Sequence, residues 1–407
     1  IVAQLGHGMF GQTGMRLVSA PTFMPAYLFA LSGSEFVVGL TRALQAAGTV
    51  TSPIIGASTI GHRQRVLSTT LVTAAMMRIQ ILGLALAGFF LGQRALLPAI
   101  IVFLTLMGFF QGMAQVTMNT LRARVIPVHR RGFVSGARNF LAGFTSAGVS
   151  YLAGAYVLEN NLLGNGYGTM FLIAFGIATL GLGALALTRE TDTSAVRPRE
   201  STGEALRAIP GLLRHNPEFA KFFIARALGS CGRMALPFYI LYAGTRMELT
   251  GTVLGLLTTV WMITSSTSNL FWGLLADRRG YRIVMIATLA IWTLSHVQLL
   301  FVESLSGIIA FFIVMGIPSG GFNQSGQNMV LEFGDTKDIP IRLAASGSTV
   351  NFVGAIGPLL GGLIVWTLSY QALFITTIVL QLVGLVILVR WVPEPRRRPF
   401  GLKQTPE

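Results

Sequence analysis

A single cysteine, Cys231, excludes an intrachain disulfide and leaves the redox compartment unmarked. Charge is scarce: only 11% of the 407 residues are Asp, Glu, Lys or Arg, against about a quarter in soluble domains. Acids are scarcer still, 15 against 30 Lys and Arg. No Gly-x-x-x-x-Gly-Lys-Ser/Thr phosphate loop occurs, which excludes direct drive by ATP of that type. No cluster of His, Cys and acids has metal-ligand spacing. No cofactor and no metal are therefore expected, and an enzyme reading finds no support. The short alternating strands of a membrane β-barrel are missing as well.

What is present is apolar: 52% of the residues are hydrophobic. Runs of about 20 residues, each long enough to cross a bilayer as a helix, recur along the chain. They predict twelve transmembrane helices: α1 (8–30), α2 (36–57), α3 (67–92), α4 (96–119), α5 (133–157), α6 (167–188), α7 (220–243), α8 (252–275), α9 (282–302), α10 (306–328), α11 (341–367) and α12 (371–391). The expected fold class is an all-α membrane protein with the lipid bilayer as its partner. One connection is long and polar. It divides the chain into an N-terminal half (1–188), a linker (189–219), a C-terminal half (220–391) and a basic tail (392–407). Leu206, Ile209, Leu212 and Leu213 have helical spacing, which predicts an amphipathic helix lying on the membrane surface. The chain begins at Ile1, with no Met and no charged stretch before the first apolar run. It reads as lacking a few native N-terminal residues and as carrying no cleavable signal peptide.

Orientation follows from the basic residues. With both termini cytoplasmic, 22 Lys and Arg fall in the cytoplasmic connections, the tail and the helix ends that border them, and only Arg94 and Arg246 fall on the other side. The net charge of +15 is thus a property of loops and does not call for nucleic acid. The tail segment "PEPRRRP" (393–399) suits an anchor beside anionic lipid. A cell membrane is the expected location, a bacterial cytoplasmic membrane in the first instance, and a monomer the expected state.

The two halves resemble each other. "MPAYLFA" (24–30) pairs with "LPFYILY" (236–242), which aligns Pro25 with Pro237. Asn139 and Phe140 pair with Asn351 and Phe352, again 212 residues apart. Transporters built from repeated halves place their site between them, near the midplane.

The stretch "GLLADRRGYR" (273–282), between α8 and α9, carries Gly273, Asp277, Gly280 and Arg282 in a Gly-x-x-x-Asp-x-x-Gly-x-Arg pattern. It resembles the loop signature of the major facilitator superfamily, whose copies follow the second and eighth helices. Here the first copy, "GASTIGHRQR" (56–65), keeps Gly56 and Arg65 but has Ile60 where the second has Asp277. "GAIGPLLGG" (354–362), with Gly357 and Pro358 in α11, is similar to a glycine–proline pattern that many antiporters of the family carry in the fifth helix; here α5 lacks the proline. The resemblance implies two six-helix bundles, alternating access to a site between them, and a central cavity lined by α1, α4, α7 and α10. It also implies a gating or conformational role for these loop residues with Arg278, in which the carboxylate caps a neighbouring helix and the arginines pair with acids. Pro25 and Pro237 are expected to kink α1 and α7.

Six arginines fall inside helices: Arg16, Arg42, Arg78, Arg138, Arg226 and Arg233, while all 15 acids fall in loops, tails or at helix ends. Intramembrane charge is costly and points to function. Arg42 and Arg138 lie near helix ends and are expected to snorkel to the interface. Arg78 is in an outer helix and is expected to face a neighbour. The candidate substrate residues are therefore Gln12 and Arg16 on α1; Gln111 and Gln115 on α4; Arg226, Ser230 and Arg233 on α7; and Ser319, Asn323 and Gln327 on α10. Each set has the spacing of one helical face. Arginine's fork suits carboxylate or phosphate, so the first expectation is a transporter of a small organic anion. His296 in α9 is the one histidine inside a predicted span considered for proton coupling, yet the lack of an intramembrane acid fits anion exchange or uniport better. Two alternatives stand beside it. One is an exporter of lipophilic drugs, suggested by 27 Phe and 15 Met. The other is a non-transporting sensor on a transporter fold, which would need an added soluble domain that the linker and tail are too short to form.

Overall fold

The computed structural model describes residues 2–60, 65–126, 131–190, 211–214, 216–333 and 339–394. Among them the chain forms twelve antiparallel helical rods. Three are interrupted. The first, α1, runs as Val2–Gly6, a π-helical turn His7–Gly11, Gln12–Ser19 and, after a break at Ala20–Thr22, Phe23–Ser32. The fifth, α5, is Arg131–Leu152 followed by a π-helical turn Ala153–Leu158. The seventh, α7, runs as Pro217–Ser230, a 3-10 turn Cys231–Met234, and Phe238–Gly244. The others are α2 Glu35–Ile60, α3 Leu67–Phe90, α4 Gln93–Val125, α6 Gly166–Ala186, α8 Gly251–Arg279, α9 Tyr281–Leu299, α10 Leu305–Leu331, α11 Ile339–Thr367 and α12 Tyr370–Trp391.

Among the described residues, eight rods are long and apolar enough to span a bilayer. Of the other four, α1 and α7 are broken and α2 and α8 carry Thr and Ser through their middles. Prolines explain the breaks. Pro21 and Pro25 have no N–H to donate to the preceding turn, and Pro237 ends the 3-10 turn of α7. Both interruptions fall near the middle of the rod, where irregular backbone is tolerated only beside a cavity or protein. In the linker, Leu206 and Ile209 lie outside the described residues. Leu212 and Leu213 are in a helical turn and pack on the cluster of Phe219, Phe222 and Phe333.

The halves meet along α2 with α11 and α5 with α8. Contact is concentrated at the end of the bundle away from the chain termini, here the far end. There a β-carbon on Gly39 would collide with the Pro358 carbonyl, and one on Gly362 would reach the Glu35 carbonyl at 2.9 Å, so α2 and α11 touch backbone to backbone. Thr22 and Thr258 share a hydrogen bond across the halves. Tyr370 donates to Glu35 Oε1 at 3.0 Å. Tyr27, Phe238, Tyr239 and Tyr242 join one buried cluster drawn from both halves. At the terminal end the corresponding polar residues Gln115, Asn119, Asn139, Gln327 and Asn351 are exposed.

Glu159, at the end of α5, closes the far end from the other side by accepting the Thr252 N–H at the start of α8 (2.8 Å). That hydrogen bond is the main reason its carboxyl is held below the usual carboxylate range. The lowered pKa means the closed far end binds the ionised form more tightly. Its contribution to closure is complete above the ordinary carboxylate pKa of about 4.3 and is lost as pH falls through the lowered value. Acidification below about pH 4 therefore favours far-end opening. Labelling of a Ser319→Cys probe from the far side, in a Cys231→Ser background, is compared at each pH with the same probe carrying Glu159→Gln, so that the thiolate fraction cancels; the parent should label more slowly at neutral pH and the two should converge below about pH 4.

The missing acid of the first loop copy is supplied from elsewhere. Glu190, just past α6, accepts the N–H groups of Val66 (2.9 Å) and Leu67 (2.8 Å) at the start of α3 and pairs with Arg124 at 3.2 Å. The second half repeats the arrangement: the Glu394 carboxylate, just past α12, lies against Gly280 at the start of α9. Gly280 has φ +90° and joins α8 to α9 in one residue, a conformation that favours glycine. Arg282 donates to the Val389 carbonyl at 2.7 Å. Asp277 is exposed, so Glu394 rather than Asp277 occupies the helix start in this conformation. Glu190→Gln removes the charge from a buried cap and should lower unfolding stability by about 1–2 kcal/mol, read by thermal or denaturant unfolding.

Candidate functional site

Between the halves, at the level of the two helix breaks, lies a cavity of about 420 Å³. The N-terminal half lines it with Ser19 and Pro21 from the α1 break, Arg42, Gln45, Ala46 and Thr49 from α2, and Gln111 from α4. The C-terminal half contributes Arg233, Leu236 and Pro237 from the α7 break, Trp261 from α8, Trp292 from α9, Met315, Ser319 and Asn323 from α10, and Gly354 and Pro358 from α11.

Each half presents one guanidinium. Arg42 donates to Gln45 Oε1 at 3.0 Å and approaches the Ser19 and Ala20 carbonyls at 3.5 Å, where the break leaves them free of the helix ladder. Arg233 donates to Asn323 Oδ1 at 2.6 Å. No acid lines the cavity among the described residues. The indole nitrogen of the lining residue Trp261 is buried with no hydrogen-bond partner. The chemistry on offer is thus two cations from opposite walls, several amides and hydroxyls, and apolar faces from tryptophan, proline and methionine.

The cavity brings together Gln111, Arg233, Ser319 and Asn323 of the sequence candidates, with Pro237 and Pro358. It leaves the rest out. Arg226 is buried and committed: it donates to the Gly326 carbonyl at 2.6 Å and to Ser346, while Ser230 back-bonds to the Arg226 carbonyl at 2.7 Å. These bonds hold α7 against α10 and α11. Arg226→Ala should lower stability by about 1–3 kcal/mol, measured by thermal unfolding. Gln115 and Gln327 are exposed in the terminal-end mouth. Gln12 and Arg16 bond to each other (3.3 Å), and Gln12 to Asn139 (3.4 Å), away from the cavity. Pro25 is buried in the far segment of α1. Gly357 packs against Met234, and Gly56 against the Met113 backbone; Gly273 faces open space. Arg65 flanks the capped start of α3, and Arg278 is exposed.

Two expectations about arginine are corrected. Arg42 does not snorkel but lines the cavity. Arg138 is also not at the interface; it is 3% exposed. Arg78 does face a neighbour, donating to the Ala178 carbonyl of α6 at 2.7 Å. His296 is fully buried, with Nδ1 at 2.9 Å from the Trp292 carbonyl and Nε2 at 2.7 Å from Tyr239 Oη. A neutral ring that donates from Nδ1 and accepts from the tyrosine satisfies both contacts, so His296 braces the far segment of α7 beside the cavity. Besides Arg42, the polar and aromatic lining residues not anticipated are Ser19, Gln45, Thr49, Trp261 and Trp292; the predicted kink in α1 was the signal that backbone carbonyls would open toward α2.

No curated protein sequence matches the chain. Among solved structures it is similar to a mutant form of the nucleoside transporter NupG, with a TM-score of 0.77 at 14% identity, covering 96% of this chain and 99% of that one. It is similar to a D-xylose–proton symporter with a TM-score of 0.69 at 16% identity, covering 97% of each. A second NupG structure gives a TM-score of 0.66 at 15% identity, covering 95% and 97%. At these identities the likeness is one of fold. The profile of the Major Facilitator Superfamily matches residues 8–253 and 222–407. The multi-pass helical fold, its interrupted helices and that match agree: this chain belongs to the major facilitator superfamily of membrane transporters.

Proposed function

We propose that the protein carries a small organic anion by alternating access, with Arg42 and Arg233 clamping its carboxylate or phosphate between the halves. The observation that supports this most is two guanidiniums from opposite walls in a cavity with no acid among its described lining residues. A cation pair held apart in a low-dielectric site is unfavourable until an anion joins it. A ligand that bridges the walls also couples its binding to the rocking of one half on the other. Trp261, Trp292 and Met315 suit an apolar body on the anion, and 420 Å³ lies within the usual size of small-molecule sites. With the termini cytoplasmic in a cell membrane, the present conformation faces inward. Exchange or uniport requires no intramembrane acid.

A second reading is a neutral polyhydroxylated solute. It is favoured by the amides and hydroxyls of Gln45, Thr49, Gln111, Ser319 and Asn323, and by the structural neighbours named for a nucleoside and for D-xylose. Counterflow in proteoliposomes separates the two. Vesicles preloaded with one unlabelled compound are offered the same labelled compound, from a panel of carboxylates, phosphate esters, nucleosides and sugars. Accumulation of anions alone supports the clamp; accumulation of nucleosides or sugars alone sinks it.

A further inference from the structure

A second group of cations lies in the N-terminal half, between the cavity and the terminal-end mouth. Arg138 of α5 is 3% exposed, makes no hydrogen bond or ion pair among the described residues, and has its Nε fully enclosed. It interacts electrostatically with Arg16 of α1 and Arg122 of α4. Arg122 is half-buried, and its Nε is likewise enclosed and unpartnered; its other bond is a long one of 3.4 Å to Asn119 Oδ1. His7 is 6% exposed with Nδ1 unpartnered, and it too interacts with Arg122 and Arg138.

The backbone is shaped around this group. The π-helical turn of α1, His7–Gly11, lies beside it, and such turns are frequent at functional sites. A β-carbon on Gly8 would come within 2.6 Å of Arg138 Nε, so glycine there makes room for the guanidinium. Two other buried helical arginines donate to carbonyls: Arg78 to Ala74 and Ala178, Arg226 to Gly326. Arg138 has no such partner among the described residues. An unpaired buried cation is strongly unfavourable, and nothing in the described packing compensates it. Exposed Asn119 and Asn139 stand at its rim, on the mouth.

We infer that Arg138, Arg122 and Arg16 form a second anion site, which takes the carboxylate or phosphate of the transported anion on its path between the cavity and the terminal-end mouth. The assignment to an anion in transit rests on the function proposed above; the site itself rests on Arg138, which has no partner among the described residues, and on the unpartnered Nε of Arg122 beside it. Its donors are charged forks, matched to an oxyanion with at least two free oxygens.

Inorganic phosphate is the probe, and the melting temperature of purified full-length protein in detergent is the readout. Phosphate should stabilise the parent and also the double variant Arg42→Gln/Arg233→Gln, which removes the cavity arginines. Adding Arg138→Gln to that double variant should abolish the response and should raise the melting temperature without phosphate, because an uncompensated buried charge is gone. A purely structural arginine would do the opposite in the second respect. Should that variant fail to fold, Arg122→Gln in the same background should weaken apparent phosphate affinity by about tenfold, the loss of one charge-assisted bond. Loss of the phosphate response in the Arg42→Gln/Arg233→Gln protein, or its retention after both Arg138→Gln and Arg122→Gln, overturns the second site. A response to added phosphatidylglycerol with none to phosphate makes the group a lipid-headgroup site and overturns its place on the transport path. Failure of the cavity arginines to affect counterflow, with the phosphate result intact, would count against the proposed function and leave the second site standing.

Discussion

Arg233→Gln and Arg42→Gln should each reduce transport of the anionic substrate by roughly 10–100-fold, since a hydrogen bond to a charged group contributes about 1.5–3 kcal/mol. The two variants should differ in what remains. Arg233 is bonded to Asn323 at 2.6 Å, and its loss frees an amide that a substrate hydroxyl or carboxylate can still use. Arg42 is held mainly by its own helix through Gln45 and by the opened carbonyls of Ser19 and Ala20, so its loss leaves those oxygens facing the anion and is the more damaging. Initial-rate uptake in proteoliposomes over a range of substrate concentration measures both. Equal rates in the parent and both variants would remove the clamp from the mechanism.

Gly39→Val should block the transport cycle from a position outside the cavity. Gly39 meets the Pro358 carbonyl with no room for a β-carbon, and overpacking of this kind costs about 1–3 kcal/mol. The penalty falls on the far-closed conformation, in which α2 and α11 touch, and spares one in which they part. Populations shift about tenfold for each 1.4 kcal/mol. Transport should therefore fall by about 10–100-fold, while a cysteine at position 319, in the Cys231→Ser background, becomes more reactive to an impermeant maleimide from the far side. Unchanged labelling together with normal uptake would show that this crossing does not gate.

Much of the architecture was legible because lipid imposes it: every backbone group must be satisfied within a helix, so apolar runs and basic loops report spans and their alternation. The stripes on α4 and α10 located Gln111, Ser319 and Asn323 because those rods are regular enough for a spacing of four to mean one face. The same rule failed on α7. Arg226 and Arg233 are seven apart and would share a face on an unbroken helix, but Arg233 sits within the 3-10 turn Cys231–Met234, which turns it alone to the cavity. On α1 the break at Ala20–Thr22 had a comparable effect, leaving Arg16 with Gln12 and placing Ser19 and Pro21 at the site. Arg42 is not legible as a site residue because closeness to a helix end does not fix depth: α2 leans against the α1 break and carries its second turn into the protein. Glu190 could not be read as the partner of α3 because its role depends on where α6 ends in space.

The most direct test of the account is the melting temperature of the purified protein against carboxylates, phosphate esters, nucleosides, sugars and lipophilic cations, repeated in Arg42→Gln and Arg233→Gln. A ligand that binds only the folded state raises it by mass action. The account predicts that organic anions of one class stabilise the parent beyond what inorganic phosphate does, and that either substitution reduces the shift to the phosphate level that the second arginine group alone supplies. Stabilisation by a neutral solute or a cation, unchanged in both variants, would contradict it.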